Sequence, residues 1–145
     1  MIRKATEADT LDLLILAKQF YKEYDTGYTI DMGLLAENVS AMIASEDYLV
    51  LVLEKDGSAE GLLLGYASSP FFSRDKIASE LAWFLSKDVR GFKESTLLID
   101  AYEEWAKGKG CKFITMSDIE VLSSLQKLYE SRGYTLMEKT YVKEA

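Results

Sequence analysis

The chain contains no histidine, and this removes both the most frequent general base and the most frequent zinc ligand. Acid-base chemistry must fall to carboxylates, tyrosines, lysines or water, no metal is expected, and a Ser-His-Asp or Cys-His hydrolase of the usual form is excluded. A single cysteine, Cys111, rules out an intramolecular disulfide. That fits a reducing compartment, with the cytoplasm as the default expectation, or a fold that needs no staple. At the head of a strand-like run, Cys111 reads as a small buried apolar residue and not as a nucleophile. No apolar stretch approaches the ~20 residues that span a bilayer. Met1 is followed by the charged Arg3, Lys4, Glu7 and Asp9 and not by an apolar signal core, so neither a membrane-embedded nor an exported protein is expected. Basic residues are also short: 17 Lys and Arg face 24 Asp and Glu, a formal net charge of -7. A sequence-independent nucleic-acid binder needs a basic face to displace counterions, so nucleic acid is an unfavoured partner and a cationic or neutral one fits better.

What is present is an ordinary globular composition. The 145 residues are 48% hydrophobic and 28% charged, enough for one domain over residues 1–145 with a continuous core. Residues 1–5 read as a short strand, and Thr6-Glu7-Ala8-Asp9 resembles a capping box that starts a helix reaching Tyr24, with Leu13, Leu16, Ala17, Phe20 and Tyr24 on its buried stripe. Asp31 can cap a second helix to about Ala44, carrying Leu35, Val39, Met42 and Ile43 on one side. Residues 48–54 form a nearly continuous apolar strand, 55–58 carry an Asp-Gly hairpin signal, and 61–68 return. The loop 70–75 holds two adjacent aromatics, Phe71 and Phe72, which read as a hydrophobic plug or as part of a substrate mouth. Later segments read as a strand at 111–116, a helix at 118–132 with Leu122, Leu125, Leu128 and Tyr129 on one face, and a final strand at 134–142. The order β-α-α-β-β-β-α-β-α-β predicts a mixed, mostly antiparallel sheet flanked by helices, of the α+β or α/β class.

The run from Glu80 to Ser95 carries the most chemistry. Leu81 to Leu85 suit a buried strand, 86–91 break it, and Thr96 to Lys107 place Leu98, Ala101, Tyr102 and Trp105 on one helical face. A helix N-terminus therefore points into the break, and with Arg90 and Lys93 alongside it suits a phosphate or pyrophosphate. The alternative for Arg90 and Lys93 is a solvated turn.

On these residues the chain resembles the GNAT acetyltransferase superfamily over essentially its whole length. The start Ile2-Arg3-Lys4-Ala5-Thr6-Glu7-Ala8-Asp9 is similar to the family's opening strand and helix. The Glu80 to Ser95 run is similar to its acetyl-CoA pyrophosphate loop. Ser131-Arg132-Gly133-Tyr134 after Leu128-Tyr129 is similar to its closing element. The loop departs from the family pattern of Gln or Arg, two residues, Gly, one residue, then Gly or Ala. Arg90 and Gly91 are followed by Phe92, Lys93, Glu94 and Ser95, so Lys93 stands at the central glycine and Ser95 at the last small residue. Phage-type members look similar at this place. Lysine denies the easy positive φ of glycine, so the loop must run in an ordinary conformation, and Glu94 must point away from a bound pyrophosphate.

The resemblance implies a three-layer fold with six or seven strands and about four helices, and acetyl-CoA as co-substrate. It implies direct acetyl transfer to a primary amine on a small-molecule or protein acceptor. The main chain of Phe84 and Leu85 would pair with the pantetheine arm, and Arg90, Gly91, Phe92, Lys93, Glu94, Ser95 and Thr96 would hold the pyrophosphate through amides, with the Arg90 and Lys93 side chains adding charge. Tyr129 would protonate the departing thiolate, against an alternative of plain core packing. Glu80 would take a proton from the amine, against an edge or surface carboxylate. The second functional reading is a GNAT scaffold that has lost efficient transfer and binds a host protein, encoded by a phage. Exposed strand edges in this fold allow a homodimer.

Overall fold

The computed structural model describes residues 1–119 and 123–145. Among them, five strands form one sheet in the order β1 (Ile2–Lys4), β2 (Tyr48–Lys55), β3 (Ser58–Ser68), β4 (Lys76–Leu85), β5 (Cys111–Thr115). The first four are antiparallel to their neighbours and β5 is parallel to β4. Short turns permit the antiparallel pairs. The parallel pair requires the crossover that α3 (Phe92–Gly108) supplies. Asp56 and Gly57 both take positive φ, 52° and 82°, in the tight β2–β3 turn, the geometry that the Asp-Gly pair is suited to.

Helices cover both faces, which explains why β2 reads as continuously apolar and not alternating. Leu49, Leu51, Leu53 and Leu63 pack with Leu98, Tyr102 and Ala106 of α3. Val50, Val52 and Leu62 pack with Leu13 and Leu16 of α1 (Thr10–Glu23) and Val39 of α2 (Met32–Ala44). Before α1 the chain makes a 3-10 turn, Glu7–Asp9, in which the Asp9 carboxylate accepts from the Thr6 amide at 2.7 Å. The same carboxylate takes two hydrogen bonds of 2.8 Å from Arg3, which also reaches Glu54 at 2.6 Å. Held by that guanidinium, the Asp9 carboxyl falls to about 2. Asp31 caps α2 as its position implied, accepting from the Leu34 amide at 3.0 Å.

Four features differ from expectation. The sheet has five strands, not six or seven: no strand forms among residues 134–145. Leu136, Met137, Tyr141 and Val142 there are all exposed, so the strand-forming residues of this segment find no partner edge on the sheet. α3 begins at Phe92, four residues before the expected start at Thr96, because Gly91 ends the preceding turn and the Ser95 amide already bonds Gly91 O at 3.1 Å. α4 is described from Ser123 to Ser131, and Asp118 precedes it in irregular backbone. The expectation for Leu122 lies outside the described residues. Phe71 and Phe72 are exposed, so they are not a plug.

Gly65 on β3 lies under the ring of Tyr102, a fully buried side chain whose hydroxyl donates to Thr115 O at 3.0 Å. A Cβ at Gly65 would lie 2.9 Å from Tyr102 Cε2 and 3.1 Å from Cδ2. Gly65→Ala is therefore expected to lower stability by roughly 1–3 kcal/mol in chemical denaturation. Gly108→Ala, facing open space, should be neutral or slightly stabilising in the same measurement.

Candidate active site

Pairing between β4 and β5 stops at Ser79↔Thr115, and beyond it β4 runs on without β5 beside it. On its other side, β4 slips register against β3: Gly65 pairs with Glu80 but Leu64 pairs with Ala82, so Leu81 has no partner. An extra residue of this kind inverts the side-chain alternation downstream. Ala78 accordingly packs toward α3, whereas Ala82 and Phe84 pack toward α1 and α2. Trp83 and Leu85 fall on the α3 side. Glu80 and Trp83, three residues apart, thus share the face that α4 covers.

Glu80 is 9% exposed and its Oε2 accepts from the Ser117 amide at 3.0 Å. Burial pushes its carboxyl up to about 7, with the Ser117 amide opposing the rise. The Ser117 carbonyl accepts from Tyr129 Oη at 2.9 Å, and that oxygen in turn accepts from Trp83 Nε1 at 3.0 Å. Ser117, two residues past the end of β5, therefore ties the two expected catalytic side chains together, Glu80 through its amide and Tyr129 through its carbonyl. Tyr129 is buried against Ile99 and Leu128, and burial first, then the Glu80 charge, hold its phenol above the usual range. A carboxylate that titrates near neutrality can accept a proton at pH 7; a phenol held this way stays protonated and can give one.

The turn after β4 is fixed by polar contacts. Ser86 Oγ donates to Glu60 at 2.6 Å, the Ser86 amide bonds Glu60 O at 2.8 Å, and a 3-10 turn (Lys87–Val89) buries Val89. Arg90 donates through Nε to Leu85 O at 2.9 Å and grips Glu23 of α1 at 2.7 and 2.6 Å. Its guanidinium sits 5.1 Å from the Phe84 ring centroid. The pair lowers the Glu23 carboxyl and raises Arg90 further. Arg90 thus fastens the loop to α1 where the sequence placed it as a free charge. The amides of Phe92, Lys93 and Glu94 precede the first α3 backbone bond, which the Ser95 amide makes; Thr96 lies within the helix. Lys93 is exposed. The Glu94 carboxylate folds back over Gly91, its Oε2 only 2.6 Å from where a Cβ of residue 91 would stand.

These elements enclose a groove of about 340 Å³. Phe20 of α1 and Tyr24 just after it form one wall, Glu80 to Leu85 the floor, Arg90, Gly91 and Ser95 one end, and Ser117, Asp118, Ser124 and Leu125 the far wall. Among the described residues its lining carboxylates are Glu80 and Asp118, and its lining cation, Arg90, is already paired with Glu23. Leu81, Trp83, Ser117 and Glu23 escaped sequence reasoning. A bulge leaves no mark in one strand read alone, and Glu23 and Arg90 stand 67 residues apart.

The sequence model of the Acetyltransferase (GNAT) family matches residues 13–134. Among solved structures, the aminoglycoside N-acetyltransferase AAC(6')-Iy in complex with CoA is 16% identical, with TM-score 0.77 over 100% of this chain and 98% of that one. A putative acetyltransferase from Agrobacterium tumefaciens str. C58 is 16% identical, TM-score 0.78, over 100% and 99%. A ribosomal-protein-alanine N-acetyltransferase from Brucella melitensis biovar Abortus 2308 is 16% identical, TM-score 0.76, over 100% and 99%. No curated protein matches significantly.

Burial of Glu80 has a consequence for stability. Its native pKa of about 7 exceeds the ordinary 4.5, so between those values the folded chain holds a proton that the unfolded chain has released. This contribution is whole below pH 4.5 and is lost as pH rises through 7, on the order of 3 kcal/mol. Glu80→Gln should abolish that fall, so that denaturation at pH 5 and pH 8 shows the variant gaining on the wild type at the higher pH. A parallel pH dependence in both proteins would contradict the burial of Glu80.

Proposed function

Because the chain belongs to the GNAT acetyltransferase family, we propose that it is an acetyl-CoA-dependent N-acetyltransferase whose acceptor is a cationic primary amine. The observation that carries this reading is Glu80, a buried carboxylate titrating near neutrality where β4 and β5 part. An amine must lose its proton to attack a thioester, and a base of pKa near 7 is matched to that task. In this reading the acetyl donor lies along the unpaired edge of β4, with Phe84 and Leu85 offering main chain to the pantetheine arm. The amide of Leu81, the unpaired bulge residue, polarises the thioester carbonyl. The ammonium first loses one proton through Glu80 to solvent; the C–N bond then forms as Glu80 takes the second proton from the attacking nitrogen, and the C–S bond breaks as Tyr129 gives its proton to sulfur. Phe20, Tyr24, Glu80 and Asp118 suit an acceptor with a positive charge and an apolar side. The neighbouring aminoglycoside enzymes support a small-molecule amine, and the ribosomal-protein enzyme supports a protein amine.

The pyrophosphate belongs at the α3 start, where the amides of Phe92, Lys93 and Glu94 and the Lys93 charge favour an anion. Glu94 occupies that end in the structure and must swing off Gly91 to admit it. Calorimetric titration with acetyl-CoA tests the whole reading, and no binding at millimolar concentration would leave the second one, a scaffold that binds a protein without transfer. Glu94→Gln is expected to bind acetyl-CoA roughly fivefold tighter, about 1 kcal/mol, by removing an anion from the helix start; unchanged affinity would show that the carboxylate leaves freely.

Activity should rise with pH through about 7 as Glu80 ionises. Glu80→Gln should lower kcat/KM by roughly 10²-fold or more and remove that acidic limb. A retained limb in the variant would assign it to another group.

A further inference from the structure

We propose that Trp83 is a positioning residue for thiolate protonation, acting through Tyr129; this rests on the acetyl-transfer reading above. The donor and acceptor roles leave no choice of direction. An indole Nε1–H can only donate and a peptide carbonyl can only accept. With Trp83 Nε1 at 3.0 Å and Ser117 O at 2.9 Å, Tyr129 Oη must accept from the indole and aim its single proton at Ser117. Ser117 and Trp83 both line the groove, and the Ser117 amide holds Glu80. The phenol proton is therefore directed to the side of Tyr129 on which the base and the parted strands lie.

The same contact serves the product of proton transfer. When the C–S bond breaks and sulfur keeps the electron pair, the proton turns from Ser117 O and leaves Tyr129 Oη for sulfur, and a phenolate remains in a buried, unfavourable place. Burial and the Glu80 charge oppose that anion, while the indole N–H supports it. Glu80 has by then accepted the amine proton and is neutral, so the pair carries one negative charge before and after the step. Exchange with solvent then restores both groups. The slipped register at Leu81 is what brings the indole here, since regular alternation would send Trp83 to the opposite face from Glu80.

A double-mutant cycle decides the matter. Trp83→Phe is expected to lower kcat roughly tenfold with little change in KM, as for loss of a hydrogen bond to a developing charge. Added to Tyr129→Phe it should cost nothing further, because its route runs through Oη. Additive losses in an active enzyme would overturn the role of Trp83 alone, leaving acetyl transfer standing. A wild type that transfers acetyl to no amine would overturn both. A readout free of activity accompanies it: the Trp83 indole N–H resonance should be protected from exchange in the wild type and lose that protection in Tyr129→Phe. An indole proton equally protected in both proteins would also overturn the proposal.

Discussion

The slipped register between β3 and β4 at Leu81 sets which faces of the sheet the β4 side chains of the groove floor take. Ahead of it, Ala78 and Glu80 face α3 and α4; behind it, Ala82 and Phe84 face α1 and α2, and Trp83 returns to the side of Glu80. A regular strand would have sent Glu80 and Phe84 to one face and Trp83 to the other. The bulge also coincides with the place where β5 leaves β4, so the strand that loses its partner on one side is locally irregular on the other. That combination opens a groove without leaving the sheet itself unsupported, because Leu62 to Leu64 still pair with β4 up to Phe84.

Electrostatics in the groove follow from pairings outside it. Arg90 supplies no net charge to the lining, since Glu23 holds both its terminal nitrogens. Stacking over Phe84 and bonding Leu85 O, it works as a bolt between the loop and α1. Exposed Lys93 and the first amides of α3 then carry the positive potential at that end, and Glu94 offsets part of it. At the other end Glu80 and Asp118 give the opposite sign. In the acetyl-transfer reading the carrier's anion would be anchored at the α3 start and the amine would arrive beside Glu80 and Asp118.

Much of this was legible in the residues because most of the elements announce themselves locally. Apolar spacing located α1, α2 and α3, the Asp-Gly pair marked the β2–β3 turn, and Asp31 marked a helix start. Glu80 and Tyr129 were singled out individually, but nothing in either stretch shows that Ser117 joins them, since that depends on how two strands part. The closing segment failed for a related reason. Residues 134–142 are rich in strand-forming types, yet a strand is a relation between two segments, and propensity alone does not supply a partner edge.

The absence of histidine gives the burial of Glu80 its meaning. In the acetyl-transfer reading a side-chain base is needed near neutrality, and without an imidazole a carboxylate can serve only if its pKa moves upward by more than two units. Desolvation is the available means for Glu80, and it disfavours the ionised native state by on the order of 3 kcal/mol at neutral pH. Such a group persists only where its surroundings cannot relax to hydrate it. Fully buried Tyr102, Leu98 and Ile99 lie in the α3 layer on the same side of the sheet, and Arg132 ties α4 to α3 through Asp100 and Glu103. In the acetyl-transfer reading that close packing serves the chemistry: a looser α4 would admit water, return Glu80 toward its ordinary value, and weaken the proposed base while making the fold more stable at neutral pH.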